Sequence, residues 1–191
     1  MRQITDVAAG LGLDADDYEL YGRWIARLNP GLTTRGKPRG KLISVTAVTP
    51  TPKGEGKTVT TIGLSMAINA IGRSSVATVR QPSVGPIFGI KGGAAGGGQA
   101  SLYPFEQVNL GFTGDFDAVA AAHNLLAAMI DNHINHGNEF GLDANDILWP
   151  RVLDMNDRAL REIVIGLGGK ANGYPRATRF DIVAASEIMA I

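Results

Sequence analysis

At 191 residues, 45% of them hydrophobic, the chain is long enough to bury about 70% of its unfolded surface as one α/β domain. Eighteen basic and 18 acidic residues cancel, and no Lys/Arg run stands out, which excludes the electrostatic footprint of a nucleic-acid or anionic-membrane binder. The absence of cysteine excludes disulfides, thiolate zinc sites and a cysteine nucleophile; with no apolar signal core and no uninterrupted apolar span, a non-secreted, cytoplasmic protein is expected.

In chain order, Asp14, Asp16 and Asp17 precede Tyr18, Leu20, Tyr21, Trp24, Ile25 and Leu28, whose spacing predicts a helix that stops at Asn29-Pro30-Gly31. The three carboxylates read as helix-start residues before they read as catalytic ones. Residues 33–40 form a polar connector, which divides the chain into an N-terminal helical appendage over 1–40 and a nucleotide-binding domain over 41–191.

Leu42, Ile43, Val45 and Val48 make a β-branched run of strand length, expected to be buried and parallel. It runs into Thr49-Pro50-Thr51-Pro52-Lys53-Gly54-Glu55-Gly56-Lys57-Thr58, and apolar residues at Ile62, Met66 and Ala70 then predict a helix over 58–70 with Gly72 as its cap. Strand, glycine turn and helix in that order make a phosphate cradle, because the first N–H groups of a helix lack partners and sit at the positive end of its dipole. Gly54 and Gly56 let backbone approach phosphate oxygens without a Cβ, Lys57 would reach the β- and γ-phosphates of ATP, and the Thr58 hydroxyl would hold Mg²⁺. The strict pattern G-x-x-x-x-G-K-[ST] is not met, since Thr51 stands where its first glycine falls; Thr51 and Glu55 complete the loop. The competing explanation is an ordinary strand-to-helix turn carrying a surface lysine.

Residues 75–79 are a second short strand, and Arg80, at its C-terminal end, is placed towards a ligand crevice. The glycine-dense stretch 85–98 reads either as an ordered anion-binding loop with Lys91 beside exposed N–H groups or as a flexible linker; Ile87, Phe88 and Ile90 favour order. Phe116, Val119, Leu126, Ile130 and Ile134 form one face of a helix over Asp115–Asn135, with His123 close to that face and Asn124 next to it. His133 and His136 have a spacing that suits a metal, but a solvated pair at a helix end explains them as well. A strand over 151–155 ends in Asp154, which could serve Mg²⁺ or cap the helix expected over 157–166. After the glycine turn at Gly168-Gly169, the segment 181–191 begins as strand and turns helical near Ser186-Glu187, so the sequence stops inside an element, as a truncated chain would.

The blocks TPTPKGEGKT, RQPSVGPIFGIKGGAAGGG, NLGFTGD, HNLLAAMIDNHI, RVLDMNDRALR, GLGGKANG and FDIVAASEIMAI together resemble the formate-tetrahydrofolate ligase family, from about Ile4 to Ile191. The resemblance implies a P-loop-type nucleotide-binding domain with a mostly parallel sheet, cut short at its C-terminus. It also implies ATP with Mg²⁺, and conversion of formate and tetrahydrofolate to 10-formyltetrahydrofolate through formyl phosphate. By the same resemblance Arg80 matches an arginine positioned on formyl phosphate, and Lys91, Gly92 and Gly93 belong to the pocket wall. Two departures lie beside this site: GGGYxQV in the family corresponds to Gly96-Gly97-Gly98-Gln99-Ala100-Ser101-Leu102, and Gly111 and Asp117 replace the two histidines of NLHFTGDxHA. The family's chains continue well beyond this length, so the alternative is a non-catalytic or split-subunit remnant that binds nucleotide and associates with a like chain or a complementary C-terminal one. A dethiobiotin synthetase-like enzyme shares the lysine-led loop, but the blocks after Arg80 argue against it.

Overall fold

A computed structural model describes residues 2–35, 40–49, 51, 54–84, 96–110 and 114–191. Helix α1, Ile4–Gly10, is closed at its start by Gln3 N–H donating to Asp6 Oδ2 at 3.2 Å. The expected helix after Asp17 is instead a hairpin: β1, Tyr18–Tyr21, runs antiparallel to β2, Ile25–Leu28, with Tyr18 opposite Leu28. Gly22, at φ 76°, supplies the left-handed turn that breaks the helical reading, and the aromatic residues of β1 suit a strand. Asp14 and Asp17 do begin a helical turn, Ala15–Asp17, but it is a single 3-10 turn whose Asp17 carboxylate is also held by Arg35. The hairpin tip meets the rest of the chain through Trp24, which packs edge-on to Tyr103 with ring centres 5.5 Å apart.

Helix α2, Lys57–Ala70, follows the expected glycine turn and closes at Gly72 with φ 80°. The flanking runs 42–48 and 75–79 are not the predicted buried parallel strands. They have no ladder partner among the described residues, and Leu42 and Ile43 are 92% and 60% exposed. Together with Thr61, Leu64, Ser65 and Ile68 of α2 they line an open groove. Strand-prone sequence is not sufficient where the pairing it needs is non-local. The Asn69 amide fixes the second run to α2, donating to Ser75 O at 3.0 Å and accepting from Ser75 N–H at 3.3 Å.

Two short strands, β3, Gly96–Gly97, and β4, Ala100–Ser101, form a second antiparallel hairpin, followed by α3, Phe105–Asn109. The long helix α4, Asp115–Asn135, has the predicted limits and buries Phe116, His123 and Ala127. It packs on β5, Arg151–Leu153, which pairs in parallel with β8, Phe180–Ile182; Phe116, Val152 and Val183 form the core there, with Val119, Ala120 and Met189 against it. The helix expected over 157–166 is a 3-10 turn at Arg158–Leu160 and then β6, Ile163–Ile165, antiparallel to β7, Arg176–Thr178. Ile163, Val164 and Ile165 are β-branched, and Gly166 must approach Tyr174 O so closely that a Cβ would lie 2.5 Å from it. The last helix, α5, Glu187–Ala190, starts where the sequence turns helical, and Ser186 caps it. Among the described residues the fold is therefore mixed α/β, with four two-stranded sheets of which one is parallel, in place of the mostly parallel sheet expected.

Polar side chains of α4 hold this half together. Asn124 donates to Val152 O at 3.0 Å and accepts from Val152 N–H at 2.8 Å. His123, fully buried, stacks on Trp149 and places Nε2 3.0 Å from Pro150 O. Asp131 bridges Arg151 at 2.9 Å and Arg176 at 2.9 and 3.1 Å, and the Arg176 side chain is only 4% exposed. Removing the carboxylate leaves a buried guanidinium unpaired. Asp131→Ala is expected to destabilise the chain by about 3 kcal/mol, read as a lower urea midpoint, with Asp131→Asn intermediate.

Candidate functional site

The start of α2 is built by its glycines. Gly54, at φ 82°, closes a turn by donating its N–H to Thr51 O at 3.0 Å, while Thr51 Oγ1 donates to Gly54 O at 3.3 Å. Gly56, left-handed at φ 68° and ψ 14°, stands immediately before Lys57 and offers no side-chain cap. Among the described residues the first N–H groups of α2 have no side-chain cap, and no carboxylate lies in the first turn. Lys57 is exposed at the first helical position and Thr58 is half-buried at the second; Glu55 projects from the turn before them. These residues fit a polyphosphate: left-handed glycines, open donors and a free ammonium are concentrated within five positions. Among the described residues no cluster of three or more His, Asp or Glu side chains assembles for a metal. Mg²⁺ would be held there by phosphate oxygens, water and the Thr58 hydroxyl, in keeping with its preference for few protein ligands.

The β3–β4 hairpin lies on the first turns of α2. A Cβ at Gly97 would meet Val59 Cγ2 at 3.7 Å, and one at Gly63 would meet the Ala100 Cβ at 3.8 Å. Small residues on both surfaces permit that approach. Leu102, after β4, then enters the wall of a cleft of about 630 Å³ that contains Arg80, Gln81, Gly114, Asp115 and, from the N-terminal hairpin, Ile25 and Ala26. The expected pocket residues Lys91, Gly92 and Gly93 lie outside the described residues, as does Gly111.

Arg80 is where the sequence leads one to look, but it does not stand alone. Its Nε and Nη2 both donate to Asp115 Oδ2 at 3.1 Å, Nη2 also touches Met189 Sδ, and the guanidinium lies over the Phe116 ring at 5.9 Å. Next to it, Gln81 N–H donates to Asp115 Oδ1 at 3.3 Å, and Gln81 Oε1 accepts from Phe116 N–H at 3.0 Å. The Gln81 amide thus caps α4 from another part of the chain, and its Nε2 reaches Asp117 Oδ2 at 3.4 Å. The Asp154 carboxylate accepts from Ser83 Oγ and, at 2.9 Å, from Val84 N–H; of the capping residues expected with it, Asp157 caps the following turn and Asp154 does not. His133 is engaged as well, accepting from Phe140 N–H at 3.1 Å and stacking on the Phe140 ring.

Sequence reasoning missed Gln81, Asp115 and Ser83 as partners of this corner. The Gly114-Asp115 start of α4 was visible, but a cap donated from 35 residues away has no local signature.

This geometry defines a mixed α/β protein with a glycine turn leading into a helix that has no side-chain cap, and with an arginine-bearing cleft. The whole chain, residues 1–191, matches the family described as formate-tetrahydrofolate ligase, and the chain belongs to that family. Three curated relatives of that name cover all of it: 61% identity with the protein of Fervidobacterium nodosum, 60% with that of Roseiflexus castenholzii and 57% with that of Methylobacillus flagellatus. The chain spans about a third of their length, 34% to 35%.

Gly114 is the tight point of the corner, since a Cβ there would lie 1.8 Å from Gln81 Oε1. Gly114→Ala is expected to swing the amide away and to cost the lost cap, about 1 kcal/mol. Thermal melts of Gly114→Ala, Gln81→Ala and the double variant should show non-additive losses, the double being no less stable than the worse single variant by more than about 0.5 kcal/mol.

Proposed function

We propose that the chain forms the nucleotide-binding and formate-activating part of a formate-tetrahydrofolate ligase, working on ATP, formate and tetrahydrofolate in the cytoplasm. The observation that carries this is the open, glycine-started N-terminus of α2 with Lys57 as its first residue. Formate is a poor electrophile, so its oxygen first takes the γ-phosphoryl group of ATP, releasing ADP. The N10 amine of the folate then attacks the formyl carbon and phosphate leaves.

Charge on phosphate oxygens changes in both steps, and this chain's residues would answer it. Donors of Gly56 and the first turn of α2 hold the polyphosphate, and Gly54, whose own N–H is taken by Thr51 O, lets it approach without a Cβ in the way; Glu55 and Thr51 shape the turn; Lys57 follows the transferred group and neutralises it. Thr58 holds the metal, which when bound screens the β- and γ-oxygens from each other. Arg80 receives the acyl phosphate, since a guanidinium edge pairs with two oxygens at once. Lys91, Gly92 and Gly93 close the same pocket in this reading, and the division at residue 40 separates the hairpin-bearing N-terminal part from the nucleotide-binding part.

A second reading is favoured by the exposed runs 42–48 and 75–79, whose apolar side chains and unladdered backbone suit association with further polypeptide. The chain then binds nucleotide but turns over only with a like chain or a complementary C-terminal partner. Formate-dependent ADP release by the purified chain decides between them, being present in the first case and absent in the second.

Calorimetric titration with Mg-ATP tests the cradle itself. One-site binding is expected, weakened about thirtyfold or more in Lys57→Ala through loss of charge-assisted contacts to phosphate. Equal affinities in the two proteins would remove the assignment.

A further inference from the structure

Arg80 has five N–H donors, and Asp115 occupies one edge of the fork, meeting Nε and Nη2. The two Nη1 donors make no hydrogen bond among the described residues, and Arg80 itself is part of the wall of the 630 Å³ cleft. Both Asp115 oxygens are directed onto residues 80 and 81, and among the described residues neither accepts from an N–H of α4 itself. The Phe116 ring lies 5.9 Å from the guanidinium carbon and Met189 Sδ touches Nη2. We propose that Asp115 is a positioning residue, whose carboxylate fixes the Arg80 guanidinium so that its Nη1 edge is presented to the acyl phosphate.

This rests on the reading of Arg80 as the acyl-phosphate ligand. A carboxylate near an anion site weakens long-range attraction, so its benefit has to come from geometry. An arginine side chain that is 64% exposed otherwise samples many rotamers, and holding it in one removes that ordering cost from the binding step. Asp115, itself 39% exposed, anchors it through two parallel donors on one oxygen, while Gln81 N–H holds the other oxygen.

The test is calorimetric titration of the 191-residue chain with acetyl phosphate in the presence of Mg-ADP, alongside Mg-ATP titration as a measure of the intact fold. Asp115→Ala is expected to weaken acetyl phosphate binding about fivefold while Mg-ATP affinity is retained. Asp115→Asn, which keeps an acceptor oxygen, should recover most of that loss. In ¹⁵N-resolved spectra the Arg80 Nε–H resonance should be sharp in the parent protein and in Asp115→Asn, and lost to exchange in Asp115→Ala. Unchanged or tighter acetyl phosphate binding in Asp115→Ala overturns the proposal, as does an equal fall in Mg-ATP affinity, which would make Asp115 purely structural. The reading beneath it fails separately: if Arg80→Ala binds acetyl phosphate as the parent does, or the parent binds none, Arg80 is not the ligand and Asp115 has nothing to position.

Discussion

The doubled hydrogen bond between the Asn124 amide and the backbone of Val152 is the contact on which the C-terminal half depends. It places a side chain of α4 on both polar groups of a buried strand residue, where an unpaired backbone group would cost on the order of 1–3 kcal/mol. From that point the neighbours follow. His123, one residue earlier, takes Pro150 O and stacks on Trp149, and Asp131, two turns later, takes the arginines of β5 and β7. With β5 so held, β8 can pair beside it in parallel, and Phe116 and Val183 close over Val152. The N-terminus of α4 is then fixed in space, which is what lets Asp115 and Gln81 meet.

What was legible in the sequence is what depends on near neighbours. The 3.6-residue periodicity of α4 and α2, the glycines that bound α2, and the helical start near Ser186-Glu187 were all readable, because each is decided within one or two helical turns. The glycine turn that leads into α2 was readable for the same reason, since Gly54 and Gly56 directly precede Lys57 and Thr58 in the sequence. The Arg80 corner was legible only by its arginine. Its other members come from residues 81, 114, 115 and 189, brought together by α4 packing on β5 and by α5 following β8.

The misreadings have physical causes. Tyr18, Tyr21, Trp24 and Ile25 satisfy a helical stripe and a hairpin equally, and Gly22 decides for the hairpin because it tolerates a left-handed turn. Residues 163–165 similarly follow a polar helical-looking stretch, yet three β-branched side chains in succession prefer the ladder with β7. For residues 42–48 the opposite happened. High strand propensity was present, but propensity supplies no partner, and a strand without one is an extended segment with its apolar side chains in water.

Among the described residues two long helices start after a glycine, and their N-termini solve the same electrostatic problem in opposite ways. At α4 the open donors are answered internally: Gln81 Oε1 takes the Phe116 N–H, and Asp115 and Asp117 put two carboxylates in the first turn. A further anion on the axis of that helix would meet like charge. At α2 there is no cap, no first-turn carboxylate, and a lysine instead. Since both helices carry the same partial positive charge at this end, the difference in side chains determines where an external anion is favoured. In the role proposed for Arg80, beside α4, the anion is met by the guanidinium's own Nη1 edge and not by the helix behind it. Asp117 strengthens that division by adding an acceptor for Gln81 Nε2, at 3.4 Å, to a helix start that Gln81 Oε1 already caps.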